Sequence, residues 1–344
     1  MQMKCAAAVM LVAAAVCASG ALPIPVLQSP SSSDFPALFD QYRHGDADAA
    51  VAAFAKWNRR RVEAEAKLPA LMPTDTRAIA ALALLHTEAA SDQGAFNVSP
   101  QAVGVAHYRK AVRLISDLPL MLRTSSDPDP RPFCRNWYIL AISLFSRLRN
   151  YNGASELARV GRDEFGNDSE FLLATGSVAE ARMGSYVEEA QRDLRRAIGL
   201  NPLLVEARLR LGRMLFLLGR TEEAQRELER TLTDARQRGH LFAAYMAALF
   251  LGQLHEEAKR DEAAKTAYET AIWIYPDGQS AYLGLAHLLV SSGRSAEGWA
   301  AARRMFQNDA DRKNPGPEPS SLYSGGQFWQ AGSRLQALRA WVRR

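Results

Sequence analysis

The chain has 344 residues, 48% of them apolar and 23% charged, with a net charge of +5. That is enough apolar material for a large core, yet single cores stop growing at roughly 250–300 residues, so one compact domain is disfavoured and a repeat array fits better. The basic excess is mild, mostly arginine and dispersed, with Arg59-Arg60-Arg61 as its one triplet. Nucleic-acid binders concentrate such charge on one face or in a run, so that class is set aside.

Residues 1–21 read as an export signal. Lys4 supplies the positive region, 5–19 is a small-residue apolar run, and Ala18-Ser19-Gly20 offers small residues for cleavage after Gly20 or Ala21. The run is short of the ~20 residues that span a bilayer. A retained anchor is the alternative and gives the only expected membrane contact. A lipidated Cys17 is disfavoured by the bulky Val16 before it. Of Cys5, Cys17 and Cys134, only the last belongs to the mature chain, so no internal disulfide and no cysteine metal site is expected.

Residues 34–120 read as divergent helical hairpins. A helix over 35–43, a turn at Gly45-Asp46 and a helix over 48–67 make the first. Helices over 73–90 and 101–116, joined by a polar loop, make the second. Residues 125–132 hold three prolines, cannot be helical and form the best internal boundary. From 132 to 312 the hairpins become regular. Residues 133–149 carry Trp137, Leu140, Ala141 and Leu144 at helical spacing, and 154–165 returns. Residues 169–200 form a hairpin whose turn runs two residues long. The hairpin over 202–238 has an extended second helix. Residues 313–344 are a Pro/Gly-rich linker and a last amphipathic helix over 330–342, with Leu335, Leu338 and Trp341 on one stripe. This tail is expected to cap the array; a docking segment for a partner is the alternative.

One spacing recurs between 205 and 312. Leu211-Gly212 is followed by Ala224 and Leu228, Leu251-Gly252 by Ala264 and Tyr268, and Leu285-Ala286 by Gly298 and Ala302, at offsets of 12 and 4 residues. The last two copies lie 34 residues apart. Small residues let two helices approach, large ones fill the groove beside them, and Gly219 and Gly293 stand where the chain must turn. Leu251, Gly252, Ala264, Tyr268, Ala271 and Pro276 together resemble the tetratricopeptide repeat family, with Ala248 and His255 departing from its Trp and Tyr. The resemblance implies an all-α, right-handed α-solenoid of about seven helical hairpins with a C-terminal capping helix. It also implies a trough lined by first helices that takes a protein or peptide. The groove positions it transfers are Glu206, Leu209, Arg210, Arg213 and Phe216; Met246, Leu249, Phe250, Gln253 and Glu256; and Ser280, Leu283, His287 and Val290. Arg210 and Arg213 are suited to a carboxylate or phosphate.

Catalytic constellations are missing from the pattern. His255-Glu256-Glu257 lacks the second His of a zinc helix, the six histidines fall in separate elements, and no GxSxG, P-loop or dinucleotide glycine motif occurs. The reading is therefore an exported, periplasmic or secreted, non-catalytic scaffold with a protein or peptide partner and no cofactor or metal. Two alternatives stay open. One is an accessory subunit of an envelope polysaccharide or peptidoglycan system, which needs exposed aromatics on first helices. The other is an enzyme with dispersed residues.

Overall fold

The computed structural model describes residues 41–42, 45–58, 80–81, 83–85, 87–88, 129–147, 149–310, 318–324 and 330–343. The export signal, the linker after it, residues 59–79, the helix expected over 101–116 and, apart from residues 41–42, the helix expected over 35–43 lie outside the described residues. Among the described residues no strand occurs and no helix is long and apolar enough to cross a membrane. The helices are α1 (Ala47–Asn58), α2 (Arg131–Arg147), α3 (Tyr151–Phe165), α4 (Ser169–Arg182), α5 (Val187–Leu200), α6 (Val205–Leu217), α7 (Thr221–Gln237), α8 (Leu241–Glu257), α9 (Asp261–Ile274), α10 (Gln279–Ser291), α11 (Ser295–Ala310), α12 (Pro319–Ser324) and α13 (Ala331–Arg343). The described residues between 80 and 88 are also helical.

From α2 to α11 each helix packs on the next, and the first helices α2, α4, α6, α8 and α10 also touch one another in sequence. This is a solenoid of helical hairpins. Its packing follows the repeat spacing: Ala224, Leu228, Ala264, Tyr268 and Ala271 are all fully or almost fully buried. The Tyr268 ring is held between two first helices. A Cβ added at Gly252 or at Gly284 would lie 2.5 Å from it in either case. Only glycine on both sides admits a tyrosine there.

The turns repeat as well. Gly219 and Gly293 adopt φ of +73° and +79°, and Lys259 fills the same slot at φ 56° despite its Cβ. In each case the next backbone N–H returns to a carbonyl in the last turn of the helix: Arg220 to Leu215, Arg260 to His255, and Arg294 to Leu289. The long turn of the α4–α5 hairpin is a short 3-10 segment, Gly184–Tyr186, and α7 has 17 residues against 14 in α9.

Two expectations need correction. The prolines of 125–132 are expected to exclude helix, yet α2 begins at Arg131 and contains Pro132. Proline is tolerated in a first turn, whose N–H groups have no intrahelical acceptor. Part of the Pro-rich linker is also helical: Pro319 opens the six-residue α12. The last helix, α13, covers apolar surface as a cap should, but at the far end of the array, against α2. Leu338 and Val342 join the core of Trp137, Phe133 and the N-terminal helices, and the Trp341 ring lies 5.1 Å from that of Phe133.

Candidate functional site

The chain doubles back. After α11 it returns along the faces of the first helices, from α10 toward α2. At one end of this path the Glu318 carboxylate accepts the backbone N–H of Gln279 at 2.9 Å and of Ser280 at 3.3 Å, and the Tyr245 hydroxyl at 3.2 Å. It thereby caps α10, which has no side-chain cap of its own, and sits at the positive end of that helix. Ser320 and Ser280 share a hydroxyl–hydroxyl bond of 2.9 Å. Further back, Arg334 donates to Asn136 at 3.2 Å, and Arg339 reaches Asp48 at 2.6 Å and Glu88 at 3.2 Å.

Tyr323 lies between these anchors, 4% exposed. Its hydroxyl donates to Glu180 and its carbonyl accepts from Arg210 Nη2 at 2.9 Å. The Arg210 guanidinium lies 4.2 Å from the ring centroid on one side, and the Phe250 ring stands edge-on at 5.2 Å. Arg210 itself is buried, donating to Glu180 at 2.9 Å and to Glu206 at 3.0 Å, while the half-exposed Arg213 donates to Glu180 at 3.1 Å. Two cations thus face two carboxylates, and the cluster is neutral. Burial raises the Tyr323 phenol well above its usual range, with the Glu180 charge adding to it, so the phenol stays protonated and donates. Burial opposes the Arg210 charge, but the surrounding Tyr323, Glu206 and Glu180 outweigh it and leave the guanidinium more firmly protonated than usual.

Beside α12 the trough stays open as a cavity of about 510 Å³, lined by Tyr151, Met183, Arg213, Leu249 and Gln253 among others. The structure brings together seven of the fourteen groove positions: Arg210, Arg213, Met246, Leu249, Phe250, Gln253 and Ser280 line this cavity. Glu206 lies behind it, 7% exposed and held by Arg210. Glu256 and His287 stand apart, paired at 2.6 Å, with Glu256 also accepting the Tyr268 hydroxyl at 2.7 Å. The expectation that Arg210 is free for a ligand is corrected: it is a buried structural cation, and Met246, 1% exposed, offers little surface. Arg213 and Gln253 remain accessible. Leu283, His287 and Val290 are exposed near the end of the array.

Glu180, Ser177, Tyr323 and Glu318 escape the sequence reading. Glu180 and Ser177 stand four residues and one residue after Gly176, as Glu256 and Gln253 stand after Gly252. The repeat register reaches α4, and the same count would have found them. Tyr323 carries no such signal, being an aromatic in a polar linker. Among the described residues no group of histidines, cysteines or carboxylates suited to a metal is present.

Residues 187–249 match the family model described as tetratricopeptide repeat. Among curated proteins no sequence matches the chain. Similar solved structures include a crystal structure of MamA, 20% identical over 49% of this chain and 94% of that one with a TM-score of 0.41. Another is MamA 41-end from Desulfovibrio magneticus RS-1, 16% identical over 52% and 97% with a TM-score of 0.43. A third is Pseudomonas aeruginosa pilF, 18% identical over 60% and 90% with a TM-score of 0.46.

Proposed function

We propose that this tetratricopeptide-repeat chain is an exported, non-catalytic scaffold that binds a protein segment in the trough of its first helices. One observation carries the reading: the trough already holds a peptide, residues 318–324, through backbone and side-chain bonds at the repeat register, and leaves a 510 Å³ cavity open beside it. A surface that grips one segment through helix-end N–H groups, a buried arginine and an aromatic edge has the chemistry to grip another. The export part rests on the apolar run over 5–19 and the small residues after it.

The polysaccharide alternative requires aromatic platforms on the first helices. Trp137 is fully buried and Tyr282 is 7% exposed, which weighs against it. The test pairs two measurements. The amino terminus of protein recovered from the producing cell should be residue 21 or 22, and an intact Met1 would remove the export claim. Purified chain on a support should retain an envelope-fraction protein that is lost with Arg213→Ala/Gln253→Ala. Retention unchanged by that double substitution would remove the trough as the binding face.

A further inference from the structure

The segment that fills the trough also describes what should replace it. Its two anchors are five residues apart and differ in chemistry. Glu318 meets two backbone N–H groups and the Tyr245 hydroxyl at the start of α10, a place that asks for a carboxylate. Tyr323 meets a carboxylate, Glu180, with its hydroxyl and a guanidinium, Arg210, with its carbonyl. That place asks for a neutral phenol on a peptide backbone. A second anion there would face Glu180 and Glu206 in a cluster whose two cations are already paired.

Between the anchors the segment is held by the Ser280–Ser320 bond, and past Tyr323 the 510 Å³ cavity is unfilled. The accessible residues at that opening, Arg213, Gln253 and Tyr151, give an incoming chain a place to begin before the tail leaves.

We propose that residues 318–323 are a tethered internal ligand, and that the partner which displaces them is a protein segment carrying a glutamate five residues ahead of an unmodified tyrosine. This rests on the reading of the trough as the binding face. Only seven residues separate α11 from Glu318, and so short a connection holds its ligand at a local concentration of about millimolar. The partner's apparent affinity is then lowered by the fraction of chains whose tail is open, so releasing the tail strengthens binding without any new contact.

The probe is a fluorescein-labelled synthetic peptide with the sequence of residues 316–326, followed by polarisation on the full chain. Glu318→Ala/Tyr323→Ala in the protein should bind the peptide on the order of ten-fold or more tightly than the unaltered chain. A peptide with phosphotyrosine in place of the tyrosine should not bind, and one with alanine at both anchors should not bind. Equal affinity for both proteins, or for the anchored and the anchorless peptide, overturns the proposal. Should the double variant be unfolded by circular dichroism, Tyr323→Phe decides. It keeps the ring beside Arg210 and Phe250 and removes only the hydroxyl donated to Glu180. A several-fold gain supports the tether, and no gain overturns it. Peptide binding that is gated this way, in a chain that retains no cellular partner, sinks the scaffold reading and the displacing partner with it, and leaves the tethered internal ligand standing. Partner retention that Tyr323→Phe leaves unaltered sinks this one alone.

Discussion

The packing of Tyr268 makes a prediction whose sign runs against helix propensity. Gly252 is inside α8, where alanine is favoured over glycine by about 1 kcal/mol. The added methyl would lie 2.5 Å from two atoms of the Tyr268 ring, about 1 Å inside the best carbon–carbon separation. The ring has little room to retreat. Gly284 of the next first helix backs it at the same distance, and its hydroxyl is tied to Glu256, one turn along from Gly252. Overpacking costs about 1–3 kcal/mol, and a ring trapped on both sides belongs near the upper end. Gly252→Ala is therefore expected to destabilise by about 2 kcal/mol net.

Gly199 supplies the opposite case. It lies in the last turn of α5 and an added Cβ meets nothing within 4 Å, so Gly199→Ala should stabilise by up to about 1 kcal/mol. Urea unfolding followed by ellipticity at 222 nm compares the two. Because stability in stacked repeats is partly local, amide exchange over α8–α10 should accelerate in the first variant only. Tyr268→Leu, which copies the Leu228–Gly212 contact of the preceding hairpin, should be markedly less harmful on the Gly252→Ala background than on the native one. If Gly252→Ala and Gly199→Ala stabilise alike, close approach is not what selects glycine here.

Other outcomes follow from the same structure. Lys259 holds φ of 56°, so Lys259→Gly should raise stability by about 1 kcal/mol, and a loss in the urea midpoint would refute the strain. Arg210→Met takes the buried cation away from Glu206 and Glu180 and should cost about 3–5 kcal/mol while exposing the tail to limited proteolysis; a cost under about 1 kcal/mol would mean the cluster is not buried in solution. Burial pushes the Cys134 thiol up to about 12, so a disulfide reagent at pH 8 should modify Cys134 only once the chain is unfolded, and its fast modification in the native state would contradict its burial. Burial, and then the Arg260 charge, lower the pKa of His255 below its unfolded value. Protonation therefore favours the unfolded chain, and the stability His255 contributes near neutrality is lost as pH falls through 6.5 toward the folded value. Its replacement in His255→Leu should flatten that part of the stability profile, and an unchanged slope would assign the pH dependence elsewhere.

How much of this was legible follows from the range of each interaction. A hairpin is written in offsets of 12 and 4 residues, and its neighbour in a period near 34, so the order of small and large side chains is enough to announce the stack. Even the slot filled by Lys259 falls in register with Gly219 and Gly293. Seven of the counted positions share one cavity for the same reason, since a first-helix residue counted from its small partner must face one side. What such counting cannot give is whether a position is empty. Arg210 has the right register for a ligand, yet its third bond goes to the carbonyl of Tyr323, 113 residues on, and the tyrosine hydroxyl goes to Glu180 at a separation of 143. No periodicity links residues so far apart. Glu318 and Tyr323 sit in a stretch whose prolines and serines read as linker, because a six-residue helix has too few turns to show a stripe. The trough was thus visible in the sequence and its occupant was not. A tail that binds its own chain needs only two well-placed side chains, and two residues do not make a pattern.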